Sequence, residues 1–272
     1  MQYEPLRRQV RLGGALLLEL RGAATERFGR PRPLRNIYGA GVPKAGSQWA
    51  KALFDHDLVV AATGLATYPT LVFHTGQRPR TRFPAHCFVP DLFVSYPEYC
   101  AIDKPAPYRT FYLVRDPRDM VVSWYFSMRD SHRVFGPIAD VRQRLLSSSL
   151  HEGLLFGIEY LGPQLAAMKT WLGVPDPEVA LFRLEDIRDD PEREVGRLLT
   201  HCNVDVGEDA FAALLRDTSR AELQKRDLER RAAGEESHYR REPSEHAKYF
   251  EPAHDKMFRD LTGDLVERLG YD

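Results

Sequence analysis

The run Asn36-Ile37-Tyr38-Gly39-Ala40-Gly41-Val42-Pro43-Lys44-Ala45-Gly46-Ser47-Gln48-Trp49 changes character twice. Up to Val42 it is apolar and rich in small and β-branched residues, Pro43 to Ser47 is turn chemistry, and from Gln48 to about Asp57 the apolar spacing is helical. The pattern predicts a strand, a loop and a helix. A second unit of this kind begins at Arg109, where Thr110-Phe111-Tyr112-Leu113-Val114 reads as a buried strand. Asp116 then caps a helix, Pro117 suits its first position, and Met120, Val121, Trp124 and Tyr125 mark its course. A third strand, Val179 to Leu184, lies between an amphipathic helix at about 152–172 and a helix opened by Asp190-Pro191. Strands alternating with helices imply an α/β, three-layer, P-loop-like fold, with a central, mostly parallel sheet flanked by helices. Ligands of such sheets bind beyond the carboxyl ends of the strands, where these loops emerge.

The chain of 272 residues can bury one large core, and we expect a single domain over 1–272. Basic and acidic side chains number 38 and 39, so no whole-molecule field draws it to nucleic acid or an anionic membrane. Cys87, Cys100 and Cys202 form no Cys-x-x-Cys pair, which favours a reduced, cytoplasmic compartment and offers no zinc site. Gly14 to Leu20 is apolar and follows Arg7, Arg8 and Arg11, but it is too short to span a membrane and Glu19 interrupts it. An amphipathic first helix over about 5–28 is the better reading. Prolines crowd the segment from 71 to 107, which reads as loops plus one short strand near His86. A charged stretch from about 226 to 248 suggests a mobile closing loop, and a final helix is expected at about 251–268. There is no internal repeat, and a homodimer stays open.

A loop at a helix N-terminus presents unpaired N–H groups and the positive end of a dipole, so it holds phosphate or sulfate. Pro43 to Trp49 has the parts: Gly46 lets the backbone approach, Ser47 caps or donates, and Lys44 adds charge. A nucleoside-triphosphate loop would need Gly-x-x-x-x-Gly-Lys-Ser/Thr. Gly41 and Gly46 have that spacing, but Ser47 stands where lysine is required, which counts against the alternative of an ATP-dependent kinase. The second unit carries Arg115-Asp116-Pro117-Arg118-Asp119-Met120-Val121-Val122-Ser123. There Arg115 at a strand end and Ser123 two helical turns onward can converge on one phosphate.

Together these segments resemble the sulfotransferases that use 3′-phosphoadenosine-5′-phosphosulfate (PAPS) and release PAP. That family's 5′-phosphosulfate loop reads Pro-Lys-Ser/Ala-Gly-Thr/Ser-x-Trp, and its 3′-phosphate motif reads Arg-Asp/Asn-Pro-x-Asp-x-x-x-Ser. The resemblance implies transfer of a sulfuryl group to a hydroxyl or amine of a small-molecule, lipid or carbohydrate acceptor. Lys44 would meet the bridging oxygen and the sulfuryl group; Gly46, Ser47 and Gln48, with Ala45 beside them, would hold the 5′-phosphate, and Trp49 would stack on adenine. Arg115 and Ser123 would hold the 3′-phosphate. Leu184 replaces a tyrosine that contacts adenine in many members. Arg220 stands in a segment resembling Thr-Ser-Phe, where a guanidinium plane can stack on the base. Arg240 and Arg241 lie where the family has Arg-Lys-Gly, although the glycine is missing. A non-catalytic PAP-binding protein on this scaffold is the remaining alternative, and no metal is implied.

An acceptor hydroxyl needs a base. His86, in Phe83-Pro84-Ala85-His86-Cys87-Phe88, resembles the histidine of the family's Lys-Thr-His-Leu-Pro segment, with its lysine absent. His74, His132 and Glu98 are the other candidates. Phe83, Phe88, Phe93, Tyr96, Tyr125 and Phe126 can form either an apolar acceptor pocket or core.

Overall fold

The computed structural model describes residues 3–28, 32–69, 73–74, 82–132, 137–229 and 246–271. Helix α1 (Tyr3–Phe28) leads into β1 (Asn36–Gly41), α2 (Ser47–Phe54), α3 (Asp57–Thr63), β2 (Ala66–Thr67) and β3 (Phe73–His74). Then come β4 (Cys87–Phe93), α4 (Tyr96–Cys100), β5 (Tyr108–Val114), α5 (Pro117–Phe126) and a π-helical turn, Ser127–Ser131. Helices α6 (Pro137–Ser147), α7 (Leu150–Tyr160) and α8 (Gly162–Lys169) precede β6 (Val179–Arg183). The chain closes with α9 (Leu184–Asp189), α10 (Pro191–His201), α11 (Glu208–Asp217), α12 (Arg220–Glu229), α13 (His246–Tyr249), α14 (Pro252–Thr262) and α15 (Leu265–Arg268).

The sheet runs β2-β4-β1-β5-β6, with β3 also on β4, and every pairing among the described strands is parallel. Both faces are covered, so β1 and β4 are buried at every residue. Successive side chains alternate between two apolar layers. Ile37, Phe88 and Phe111 pack with Leu53 and Phe54 of α2 and Leu198 of α10. Tyr38, Val89 and Tyr112 face the other way, onto Trp124 of α5, Leu154 of α7 and Trp171. Phe54 stacks at 4.6 Å on Phe88 and 5.1 Å on Phe111, which fixes α2 across β4, β1 and β5.

Three expectations require correction. The short strand expected near His86 is a full seven-residue central strand, β4, which accommodates Pro90 at a bulge: Tyr38 pairs with Val89 but Ala40 pairs with Leu92, so one residue of β4 is extra. The helix expected at 152–172 is two helices, broken where Pro163 follows Leu161 and Gly162. The last helix is likewise divided at Gly263, whose φ is 58°. Of the charged stretch 226–248, the first residues end α12 and the last form α13. Its middle, 230–245, lies outside the described residues.

Helix α7 crosses α5 through glycines: a Cβ on Gly153 would stand 2.3 Å from Cε2 of the buried Tyr125. Gly153→Ala is expected to destabilise the fold by about 1–3 kcal/mol through overpacking, measurable by denaturant unfolding.

Candidate active site

The strand register builds the site. Gly41 of β1 pairs with Leu113 of β5, so the loops that follow these strands leave the sheet side by side at its carboxyl edge. Chain order reverses at this point, since β1 leads away to β2 and β4 while β5 leads to β6. Such a reversal opens the crevice in which parallel sheets take ligands.

On the β1 side, Ala45 N–H closes a turn on the Val42 carbonyl at 3.2 Å, and Lys44 and Gly46 both have positive φ, 73° and 100°. Gly46 is the N-cap of α2 and supplies no side-chain cap. The backbone therefore curls into a concave turn at the helix start, with the N–H groups of Ser47, Gln48 and Trp49 at the dipole's positive end. Gly46 is held to glycine twice, by its φ and by Leu184 at the head of α9, whose Cδ1 would lie 2.8 Å from an added Cβ. Trp49 is half-buried and packs on the α2-side core together with Phe211 and Leu215 of α11.

On the β5 side, Asp116 caps α5 by accepting from Arg118 N–H at 2.8 Å, and it takes the Arg118 guanidinium at 3.0 and 2.7 Å. Arg115 lies 3.6 Å from Oδ2 of Asp119, which is only 1% exposed. Oδ1 of Asp119 accepts from the backbone N–H of His246 at 2.9 Å and lies 2.8 Å from its Nδ1. Burial alone would raise the Asp119 carboxyl, but the His246 contacts and Arg115 outweigh it and hold it below the usual range. One buried carboxylate thus orients Arg115 and ties down the chain where it re-enters the described structure. Ser123 is half-buried on α5, two turns beyond Arg115.

His86 is not brought to this site. It precedes Cys87, which pairs with Asn36 at the start of β1, so it stands at the amino edge of the sheet. Five residue steps of strand separate Asn36 from Gly41, about 16 Å. There His86 Nε2 lies 3.0 Å from Glu26 of α1, a contact that docks the first helix. Glu98 is used in a capping box with Ser95, at 2.7 Å to both its N–H and its hydroxyl. His132 ends the π-helical turn, and its carbonyl accepts from Arg142. His74 lies in β3. Phe83, Phe88, Phe93 and Tyr125 are core residues distributed over both sheet layers. Arg220 begins α12, three residues after the end of α11, whose Phe211 and Leu215 pack against the same core layer as Trp49. Arg240 and Arg241 lie outside the described residues.

Two residues escaped the sequence reading. His246 is one of nine histidines and has no motif to mark it. Asp91, in the β4 bulge, has φ of 58° and is 4% exposed. It pairs with Lys51 of α2 and borders a shallow recess together with Gly41, Ala45 and Ser47. Aspartate after proline within an apolar strand was its only signal.

A sulfotransferase-domain family model matches residues 106–270, more than half of the chain. The chain belongs to the sulfotransferase family. The matched span of this sulfotransferase holds Arg115, Asp119, Ser123 and Leu184, and it begins after the Lys44 loop, which joins the site through the β1–β5 register. Mouse sulfotransferase SULT7A1 complexed with PAP is similar over 92% of this chain and 90% of that one, at 16% identity and a TM-score of 0.59. That likeness shows a shared fold. Retinol dehydratase in complex with androsterone and inactive cofactor PAP is similar over 92% and 86%, at 16% identity and a TM-score of 0.48. A sulfotransferase from Alicyclobacillus acidocaldarius covers 88% and 96% at 14% identity, with a TM-score of 0.42.

Because the folded Asp119 carboxyl lies below its unfolded value, its stabilisation is present above about pH 4 and is lost as pH falls through the lowered value. Asp119→Asn is expected to cost about 1–3 kcal/mol at neutral pH. The gap to wild type should shrink in denaturant titrations carried to lower pH.

Proposed function

We propose that this chain is a single-domain, PAPS-dependent sulfotransferase that moves a sulfuryl group to a hydroxyl or amine of a small molecule, releasing PAP. The observation that carries this reading is the adjacency of two cationic loops at the carboxyl edge, one with Lys44 after β1 and one with Arg115 after β5. A nucleotide with a phosphate at each end of its ribose needs two such cradles facing one crevice. The PAP in the SULT7A1 structure accords with this reading.

In the proposed complex the N–H groups of Ser47 and Gln48 take the 5′-phosphate, and Lys44 neutralises the charge that builds on the bridging oxygen as the S–O bond breaks. Arg115, oriented by Asp119, takes the 3′-phosphate with Ser123. Trp49 provides one wall for adenine. Arg220, which follows α11, is assigned to the other, as a planar cation able to stack. Leu184 leaves its hydrogen-bonding position apolar. Arg240 and Arg241 are assigned to the 3′-phosphate, on a segment whose far end is tied to Asp119 by His246. Among the described residues no helix is long and apolar enough to cross a membrane. A cytoplasmic location belongs to the same proposal.

Lys44→Ala is expected to lower turnover of labelled PAPS by about 10²–10³-fold while PAP affinity changes little. Unchanged turnover would remove Lys44 from its role. Arg115→Ala should weaken PAP about 10- to 100-fold and erase the preference for PAP over 5′-AMP in calorimetric titrations. A wild-type protein that binds the two nucleotides equally would defeat the 3′-phosphate site.

A further inference from the structure

Displacing His86 to the amino edge leaves the proposed transfer without a proton acceptor, and the carboxyl edge offers one. Asp91 sits in β4 one residue before Leu92, which pairs with Ala40 near the end of β1. Its setting departs from ordinary strand residues in three ways. The β4 bulge turns the backbone there, and φ is 58°, a left-handed conformation that a non-glycine residue adopts at some cost. Its side chain is only 2% exposed and is paired with Lys51. Its Oδ1 is buried and has no hydrogen-bond partner among the described residues. A buried carboxylate normally fills its acceptor sites, because each unmet one costs free energy.

The strain and the unmet oxygen coincide beside the anion loop, since Asp91 borders the recess that Ala45 and Ser47 also line. Backbone strain and unsatisfied polar groups concentrate where a ligand completes the arrangement. We infer that Asp91 is the general base of this sulfotransferase, with Lys51 as the positioning residue that holds its other oxygen. The inference rests on the PAPS-dependent reading above. In the step, the acceptor hydroxyl gives its proton to Asp91 Oδ1 and its oxygen bonds to sulfur. The bond from sulfur to the bridging oxygen breaks, and its electron pair stays on the 5′-phosphate of PAP beside Lys44. Nothing is oxidised or reduced, and no metal is required.

The test uses the full chain, PAPS and three acceptors: water, 1-hexanol and 4-nitrophenol. Removing a base penalises acceptors that must lose a proton and spares one already ionised near neutral pH. Asp91→Asn is expected to lower turnover with water and hexanol about 100-fold or more, and with 4-nitrophenol less than about 10-fold, at unchanged PAP affinity. Asp91→His should restore part of the activity and move the acidic limb of the rate profile upward, since imidazole titrates above a carboxylate. His86→Gln should keep full turnover. Equal loss with all three acceptors, or full activity in Asp91→Asn, would overturn the assignment. If substitution at Asp91 prevents folding, Lys51→Gln decides in its place: a loss with water and hexanol that spares 4-nitrophenol supports Asp91, and an equal loss with all three acceptors overturns it. A wild type that binds neither PAPS nor PAP would instead sink the sulfotransferase reading itself.

Discussion

The parallel pairing of β1 with β5 is the constraint on which the site depends. Six consecutive residue pairs, from Asn36–Tyr108 to Gly41–Leu113, fix where each strand ends and therefore where each loop begins. A slip of one residue would send Ile37 and Phe111 to the opposite face and separate the Lys44 turn from Arg115. Register is well specified because both faces are buried and differ in shape. Stacked Phe54, Phe88 and Phe111 occupy one face, and Tyr112 stacked on Trp171 at 4.5 Å occupies the other. Core packing and ligand geometry are here one problem. The aromatics that hold α2 in place also aim its N-terminus at the crevice.

The two cradles are built differently. After β1 the backbone does the work: positive φ at Lys44 and Gly46 makes a concave turn, and Leu184 closes its far side. After β5 a side-chain network does it, from Arg118 through Asp116 and from Arg115 through Asp119 to His246. Asp119 couples the second cradle to the returning chain, since the same carboxylate faces both Arg115 and α13. The orientation of Arg115 and the position of α13 are therefore linked through one buried charge. A neutral residue at position 119 would break that link without touching the ligand.

Much of this was legible because local signals agreed with the global fold. Pro43 to Trp49 and Arg115 to Ser123 each combine a strand end, turn chemistry and a helix start, and each appears in the structure as read. What escaped reading was non-local. Pro90 and Asp91 hid the length of β4, since both residues are poor strand formers and the bulge that accommodates them is visible only against β1. The reading of His86 failed for the same reason. Without the length and register of β4, a histidine lying between the two motifs has no assigned edge, and the amino and carboxyl ends of a strand are chemically opposite places in a parallel sheet. Helix breaks at Pro163 and Gly263 were written in the sequence, but amphipathic spacing carried on through them.

Asp91 poses a question that stability alone does not answer. A glycine in the bulge would adopt its φ without strain, and an apolar side chain would avoid taking a carboxylate out of water. The ion pair with Lys51 returns only part of that cost, because paired buried charges are frequently no better than apolar groups of similar volume. One oxygen, moreover, receives nothing from the described residues. The strain and the unmet oxygen at this position favour another residue for folding, whereas a proton acceptor beside an anion loop needs a carboxylate, held rigidly, with one oxygen left for the incoming hydroxyl. The features that are costly for folding are the ones that chemistry at this edge requires.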